Sequence, residues 1–362
     1  MNLNTVSNQW ATRPTDQRFL NVDELYAKVA SRRDSSRVSD VALDHVQVAP
    51  DDSGDIMLAD TTGETFGQLT HFAFGQLCQR AHVPAGYLRS LPPMLACMNL
   101  QWGLESHEAG SDEGNDARLL TRINGQRDIA AVTSPTYGRI WDAEVVDAVR
   151  RHVDLDVWKV PAASYSGSDP LRATTLYASD RDVFIFLVNE SAGIDSDGGS
   201  IKRGVYLWNS EVGSATFGIA TFLYDRVCDN RIIWGAKQFR ELKIRHTSGG
   251  PHRFIARAVP ELKAYAESSA RIVESTIRAA KAKEVGRDRK SVQEWMKARG
   301  FTTPQARQAW DAAESEPRNY NPASLWGVVQ GMTDSAKELK NTDERTDLER
   351  KAGSLLDIVA DE

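Results

Sequence analysis

The chain has 362 residues, 41% of them hydrophobic and 26% charged, with a formal net charge of −6. This is ordinary globular composition, long enough to bury a sizeable core as one large or two smaller domains without disulfide or metal staples. Its three cysteines, Cys78, Cys97 and Cys228, are few, odd in number and far apart, which excludes a disulfide framework and points to a reducing, cytoplasmic setting.

Residues 1–18 are polar and Asn/Thr-rich, without the basic and apolar regions of a secretory signal, and residues 1–20 are expected to be a flexible N-terminus. Residues 22–29 can form a short helix. Residues 41–48 alternate apolar and polar and predict one strand, ended by the turn-rich 50–54, with 56–59 as its return. Residues 69–91 predict two short helices. Thr70 is the N-cap of the first and Pro84 opens the second, while Phe74, Leu77, Cys78 and Ala81 share a face. The second helix carries only Arg89 to meet a phosphate, so the pair is a packing hairpin rather than a DNA-reading motif.

Asn124-Gly125 between the runs 118–123 and 128–133 is a hairpin signal. A helix is expected over 141–153, then strands at 155–160, 173–178, 183–188, 204–208 and 215–224, with 193–199 as a loop. Beyond Pro260 the pattern is helical: 268–283, a short helix at 291–299 stopped by Gly300, and two helices opened by Thr303-Pro304 and Asn321-Pro322. Residues 348–359 form a last amphipathic helix suited to bind a partner. The expected class is therefore α+β: a central antiparallel β-rich region with flanking helices and a helical C-terminal part. The expected divisions are a core domain at 21–257, helices at 258–340 and an acidic amphipathic tail at 341–362. No run reaches the roughly 18 apolar residues of a membrane span.

Charge is unevenly spread. Residues 40–116 carry a net −10, residues 226–257 a net +6, residues 278–307 a net +6 and residues 341–362 a net −4. The basic middle calls for an anionic partner, or for pairing with the acidic segments.

No phosphate-binding loop, dinucleotide fingerprint, zincin, nucleophile-elbow or kinase signature occurs. The seven histidines are dispersed, and Asp195 and Asp197 before Gly198 lack the remaining ligands of a calcium loop. Neither a metal nor a cofactor is expected. Four constellations remain. Tyr137 and Arg139, at a strand-to-helix junction, can offer a ring and a guanidinium to a base or phosphate, or pack a turn. Asn209, Ser210 and Glu211 follow a strand, as polar binders or as turn residues. Arg226, Cys228, Asn230 and Arg231 end another. Arg245, His246 and Arg253 flank a Gly249-Gly250 loop. Trp234, Phe239 and Phe254 interleave with the last two groups, and cations with rings are what single-stranded nucleic acid requires.

Ordered blocks carry a resemblance: Leu69-Thr-His-Phe-Ala-Phe with Val83-Pro-Ala-Gly-Tyr87-Leu, Ala131-Val-Thr-Ser134 with Tyr137 and Arg139-Ile140, Gly204 through Asn209-Ser210-Glu211-Val-Gly213, Arg226-Val-Cys228-Asp-Asn230, and Ser324-Leu-Trp326-Gly. Together they resemble the phage/plasmid-like proteins grouped as domain of unknown function 932, with Arg231 standing where that family often has glycine. The resemblance implies a mobile-element setting and supplies no reaction.

The expected function is that of a non-catalytic nucleic-acid-binding or accessory protein of DNA metabolism. Single-stranded DNA or RNA is the expected partner. Arg226, Arg245 and Arg253 would meet phosphates, and Tyr137 and Trp234 would stack on bases. An alternative is an enzyme acting on nucleotides or nucleic acid through Tyr137, Arg139, Asn209, Glu211 and His246. Convergence of those five favours it and scattering removes it. A third alternative is a factor that binds host or phage proteins through the acidic N-terminal half or the 348–359 helix.

Overall fold

A computed structural model of the chain describes residues 14–106, 116–160, 174–190, 201–225, 230–232, 241–315, 320–336, 339 and 342–360. The first strand, Arg18–Phe19 (β1), lies inside the segment expected to be flexible, yet it pairs with Tyr177 and Leu176. Val22–Asp34 (α1) follows, capped by Asn21, whose side chain accepts from the Glu24 amide at 2.8 Å.

An N-terminal sheet comes next, built from Ser36–Ala42 (β2), Val46–Pro50 (β3), Ile56–Asp60 (β4) and Thr65–Leu69 (β5). The single strand expected at 41–48 is in fact two strands broken by a 3-10 turn at Leu43–His45. Leu43 and Val46 are both buried there, so the turn carries two apolar side chains to the same core. Helices His71–Arg80 (α2), Ala85–Leu88 (α3) and Pro93–Ser106 (α4) pack on this sheet. Thr70 caps α2 as expected, accepting from Ala73 N at 3.2 Å, while Pro84 sits one position earlier than expected, as the N-cap of α3.

The Asn-Gly hairpin forms as anticipated between Asp116–Asn124 (β6) and Gln126–Thr133 (β7), with Gly125 at φ +79°. The sheet order is β2-β6-β7-β5-β4-β3, antiparallel except for β5 with β7. Gln101 of α4 fills the open edge of β3, accepting from Val48 N at 2.9 Å and donating to Val46 O at 3.1 Å.

The helix Asp142–His152 (α5) then leads into a second sheet. Its strands are β1, Trp158–Lys159 (β8), Leu176–Ala178 (β9), Val183–Asn189 (β10), Ile201–Asn209 (β11), Phe217–Asp225 (β12), Asn230–Ile232 (β13) and Glu241–Ile244 (β14). The run 155–160 is strand only at Trp158–Lys159, where it pairs with Val188 and Asn189. The backbone of the sheet is an antiparallel meander, β9-β10-β11-β12. Every residue of β10 and β11 is buried, so this sheet is covered on both faces. Val183, Ile185, Leu187, Val205, Leu207, Phe217 and Ile219 face α1 and α5, while Phe184, Phe186, Tyr206, Trp208 and Phe222 form an aromatic layer on the other side. Gly218 is required there, because a Cβ would come within 2.0 Å of the Trp208 ring.

After Gly250–Arg253 (α6) and a π-helical turn at Phe254–Ala258, the chain is helical: Val259–Glu267 (α7), Arg271–Ala282 (α8), Arg289–Lys297 (α9), Thr303–Ser315 (α10), Leu325–Ala336 (α11), Thr342–Ser354 (α12) and Asp357–Ala360 (α13). The caps of α10 and α11 differ from expectation. Thr302, not Thr303, caps α10 by accepting from Gln305 N at 3.3 Å, and Ser324 caps α11 by accepting from Gly327 N at 3.0 Å. The 348–359 segment is no free tail: Leu348, Ala352, Leu355, Leu356 and Val359 are buried in one core with Trp326, Met332, Ile201 and Leu223. Its apolar face is spent within the fold and is not open to a partner. The loop expected at 193–199 lies outside the described residues.

Candidate functional site

The exit of β11 places Asn209, Ser210 and Glu211 in the interior, with Glu211 only 1% exposed. Ser210 closes the turn: its hydroxyl donates to Arg181 O at 2.6 Å and accepts from Ser214 N at 3.0 Å. The turn lets the chain reverse while Glu211 points toward the N-terminal sheet. Arg122 of β6 meets it, with Nη2 donating to Glu211 Oε1 at 2.7 Å and Nη1 to Asp180 O at 2.8 Å. Arg32, at the end of α1, places Nε 3.2 Å from the same carboxylate oxygen and also pairs with Asp142. The amide of Asp142, in the first turn of α5, donates to Glu211 Oε2 at 3.2 Å, so the carboxylate lies at a helix N-terminus. Asn209 Nδ2 completes the cluster, donating to Asp142 Oδ1 at 2.7 Å and to Ile140 O at 2.8 Å.

Burial pushes the Glu211 carboxyl up, but Arg32 and Arg122 outweigh it and hold the group below the usual carboxylate range. Asp142 goes the other way: complete burial, then the neighbouring Glu211 charge, push it up. Desolvation and the proximity of Arg32 lower Arg122.

Tyr137, Arg139 and His246 adjoin this cluster. Tyr137 N donates to Ser134 O at 3.0 Å, closing a turn that directs the Tyr137 hydroxyl to Ser210 O at 3.0 Å. Its ring stacks on His246, with centroids 5.0 Å apart and planes at 18°. The Arg139 guanidinium lies 5.4 Å from the Tyr137 ring centroid, and its Nε donates to Glu211 O at 2.9 Å. The two terminal nitrogens of Arg139 are buried without a hydrogen-bond partner, the guanidinium lying between the rings of Tyr137 and Trp141, 5.7 Å from the latter. Gly138 N donates to His246 O at 3.1 Å, and His246 Nδ1 lies 3.3 Å from Gly138 O, which fits a neutral ring donating from Nδ1. Burial lowers His246 to about 4 and raises Tyr137. Arg32 and Arg122 thus meet the Glu211 carboxylate in the interior, while Arg139 binds the Glu211 backbone carbonyl and keeps its two terminal nitrogens free of hydrogen-bond partners.

Of the residues singled out in the sequence, Tyr137, Arg139, Asn209, Ser210, Glu211 and His246 converge. Arg245 and Arg253 do not join them. Both are exposed, at the two ends of the 245–253 segment, which runs from the end of β14 through a loop into α6. Arg226 and Trp234 lie outside the described residues, and of Asn230 only its backbone place is described, in β13 opposite Asp225. Sequence reasoning missed Arg32, Arg122 and Asp142. Arg122 did leave a trace, as a charged residue between Thr121 and Ile123 in the run 118–123, one arm of the expected hairpin. Among the described residues no group of three His, Cys, Asp or Glu side chains could hold a metal ion, and no helix is long and apolar enough to cross a membrane.

The fold and site define a two-sheet α+β protein joined through a buried arginine–carboxylate centre. The chain belongs to the family described as domain of unknown function (DUF932), whose model matches residues 131–355. The centre's Tyr137, Arg139, Asp142, Asn209, Glu211 and His246 lie within that span, whereas Arg32, Arg122 and the early Leu69–Leu88 blocks lie before it. No curated protein and no solved structure matches the chain.

Proposed function

We propose that this protein is a non-catalytic nucleic-acid-binding or accessory protein of mobile-element DNA metabolism, with single strands as its ligand. The observation that carries this reading is the mounting of the 245–253 loop. Gly138 N, the Tyr137–His246 stack and the close approach of Gly138 to the Thr247 carbonyl fasten the loop's inner side to the buried centre. Its outer side leaves Arg245, His252 and Arg253 exposed. Arg253 bonds to Thr247 Oγ1 at 2.6 Å within the loop, and no carboxylate among the described residues pairs with Arg245 or Arg253. Guanidiniums held on a rigid mount without counter-charges suit a phosphate backbone. The basic count over 226–257 adds to this.

The test is fluorescence anisotropy of labelled single- and double-stranded oligonucleotides across a salt series. Expected is tighter binding of single strands. Arg245→Ala with Arg253→Ala should weaken it for every sequence and lower the salt slope by about one unit per lost contact. No binding at low salt, or an unchanged slope, overturns the reading.

A second reading, an enzyme acting on nucleotides, is favoured by the convergence of Tyr137, Arg139, Asn209, Glu211 and His246 beside the unpartnered Arg139 nitrogens. Against it, both Glu211 oxygens are taken, Oε1 by Arg122 and Arg32 and Oε2 by the Asp142 amide, and Asn209 Nδ2 is taken by Asp142 and Ile140, so that only Asn209 Oδ1 lacks a partner. Calorimetric titration with nucleotides decides: saturable binding lost in Arg139→Gln supports a site there, and no heat removes it.

A further inference from the structure

We infer that the outer face of α4 is a docking surface for an amphipathic helix of another protein, one with an apolar face and a lysine- or arginine-rich rim. The sequence of α4 is apolar on nearly every side. Ala96, Cys97, Leu100 and Leu104 point inward and are buried against α2 and the N-terminal sheet. Met94, Met98 and Trp102, at i, i+4 and i+8, point outward at 58%, 60% and 71% exposure, with Leu95 beside them and Tyr87 of α3 also exposed. These positions form one stripe about 12 Å long. Contiguous apolar surface of this kind is uncommon on a chain with no partner, and methionine with tryptophan makes an adaptable contact surface.

The stripe is rigid, because Gln101 of the same helix is bonded to the backbone of β3.

Charge selects the occupant. The turn bearing Asp51, Asp52 and Asp55 abuts the start of α4, where a Cβ on Gly54 would lie 3.2 Å from Pro93 Cγ. Exposed Glu105 stands at the other end. A second copy docking α4 on α4 antiparallel would set Glu105 against the aspartate turn, like charge on like. Among the described residues, the chain's basic helices offer a single exposed isoleucine each, Ile255 and Ile272, too little to cover the stripe. A foreign helix with several apolar side chains and a basic rim matches both the stripe and its border.

The test uses the full chain and a fluorescein-labelled synthetic helix with leucine on one face and lysine on the others, beside a probe with glutamate in place of lysine. The leucine–lysine probe should bind saturably, about tenfold or more tighter than the leucine–glutamate probe. Met98→Gln with Trp102→Gln should weaken it about tenfold, with circular dichroism and sedimentation unchanged. Asp52→Asn with Asp55→Asn, which spares the apolar stripe, should weaken it and flatten its salt dependence. Arg245→Ala with Arg253→Ala should leave probe binding unchanged, which separates this surface from the nucleic-acid reading. Equal binding of both probes, or wild-type binding by the Met98/Trp102 variant, overturns the proposal. So does a dimer of the wild type that this variant dissolves, since a second copy would then be the occupant.

Discussion

Arg122 and Glu211 meet at 2.7 Å with both side chains almost fully buried, and they stand on different sheets: Arg122 on β6 of the first, Glu211 just past β11 of the second. The pair is therefore a tie between the two halves of the fold. Removing one member leaves the other's charge stranded in a low-dielectric interior, which typically costs about 3–5 kcal/mol. Arg122→Met and Glu211→Gln should each lower unfolding free energy by that order in urea titrations. The double replacement Arg122→Met with Glu211→Gln should cost less than the sum of the two single losses. Additive losses would show that the pair does not act as a unit.

His246 makes stability depend on acid. Its folded pKa is depressed to about 4 from 6.5, so the native state binds fewer protons than the unfolded chain between those values. The stability it contributes is present above pH 6.5 and is lost as pH falls toward 4, by about 3 kcal/mol in all. His246→Phe, which keeps a ring against Tyr137, should abolish that part of the decline. Asp142 acts with opposite sign: its folded pKa is raised, so its contribution is full at acid pH and declines as pH rises through the folded value. Urea midpoints measured from pH 4 to 9 for wild type, His246→Phe and Asp142→Asn separate the two contributions.

Gly138 should tolerate no side chain. A Cβ there would lie 1.9 Å from the Thr247 carbonyl oxygen, a backbone atom that cannot swing aside. Gly138→Ala should cost about 1–3 kcal/mol by overpacking. It should also weaken oligonucleotide anisotropy by displacing the 245–253 loop, while Arg245 and Arg253 are intact. Wild-type affinity in a folded Gly138→Ala protein would show that the mount does not matter to binding.

Cys78 and Cys97 are buried, and burial raises each thiol to about 11. Thiolate is the reacting species, so both should resist alkylation at pH 8 in the native protein and react fully in denaturant. Peptide mass mapping of a timed iodoacetamide reaction reads each site separately.

The last helices should prove structural. Leu356 is fully buried among Trp326, Met332 and Ala352. Leu356→Ala should lower stability by about 2–5 kcal/mol, read by thermal or urea unfolding. A removable tail would show almost no change.

What the sequence carried well was local. The Asn124-Gly125 hairpin formed because its tight turn needs a positive φ, which Gly125 supplies between two strand-forming runs. Thr70 capped α2 because its side chain reaches an amide three residues on. The meander over β10, β11 and β12 was visible as apolar runs. Where local signals competed, position slipped: Thr302 and Thr303 are both capping residues, and packing chose the first. Residues 348–359 show why amphipathicity is ambiguous, since a face suited to a partner is equally suited to the chain's own core.

The sequence by itself determined the α+β class, the helical C-terminal part and most element positions, because turns, caps and hydrophobic periods act over a few residues. It also marked six of the polar residues that meet at the centre, as neighbours of strand ends. Only the tertiary structure decided that they meet, and that Arg32, Arg122 and Asp142 join them. Arg122 and Glu211 stand 89 positions apart, and no spacing rule links them. Their encounter follows from the packing of two sheets, where a carboxylate leaving water requires a cation and takes whichever arginines the fold brings within reach.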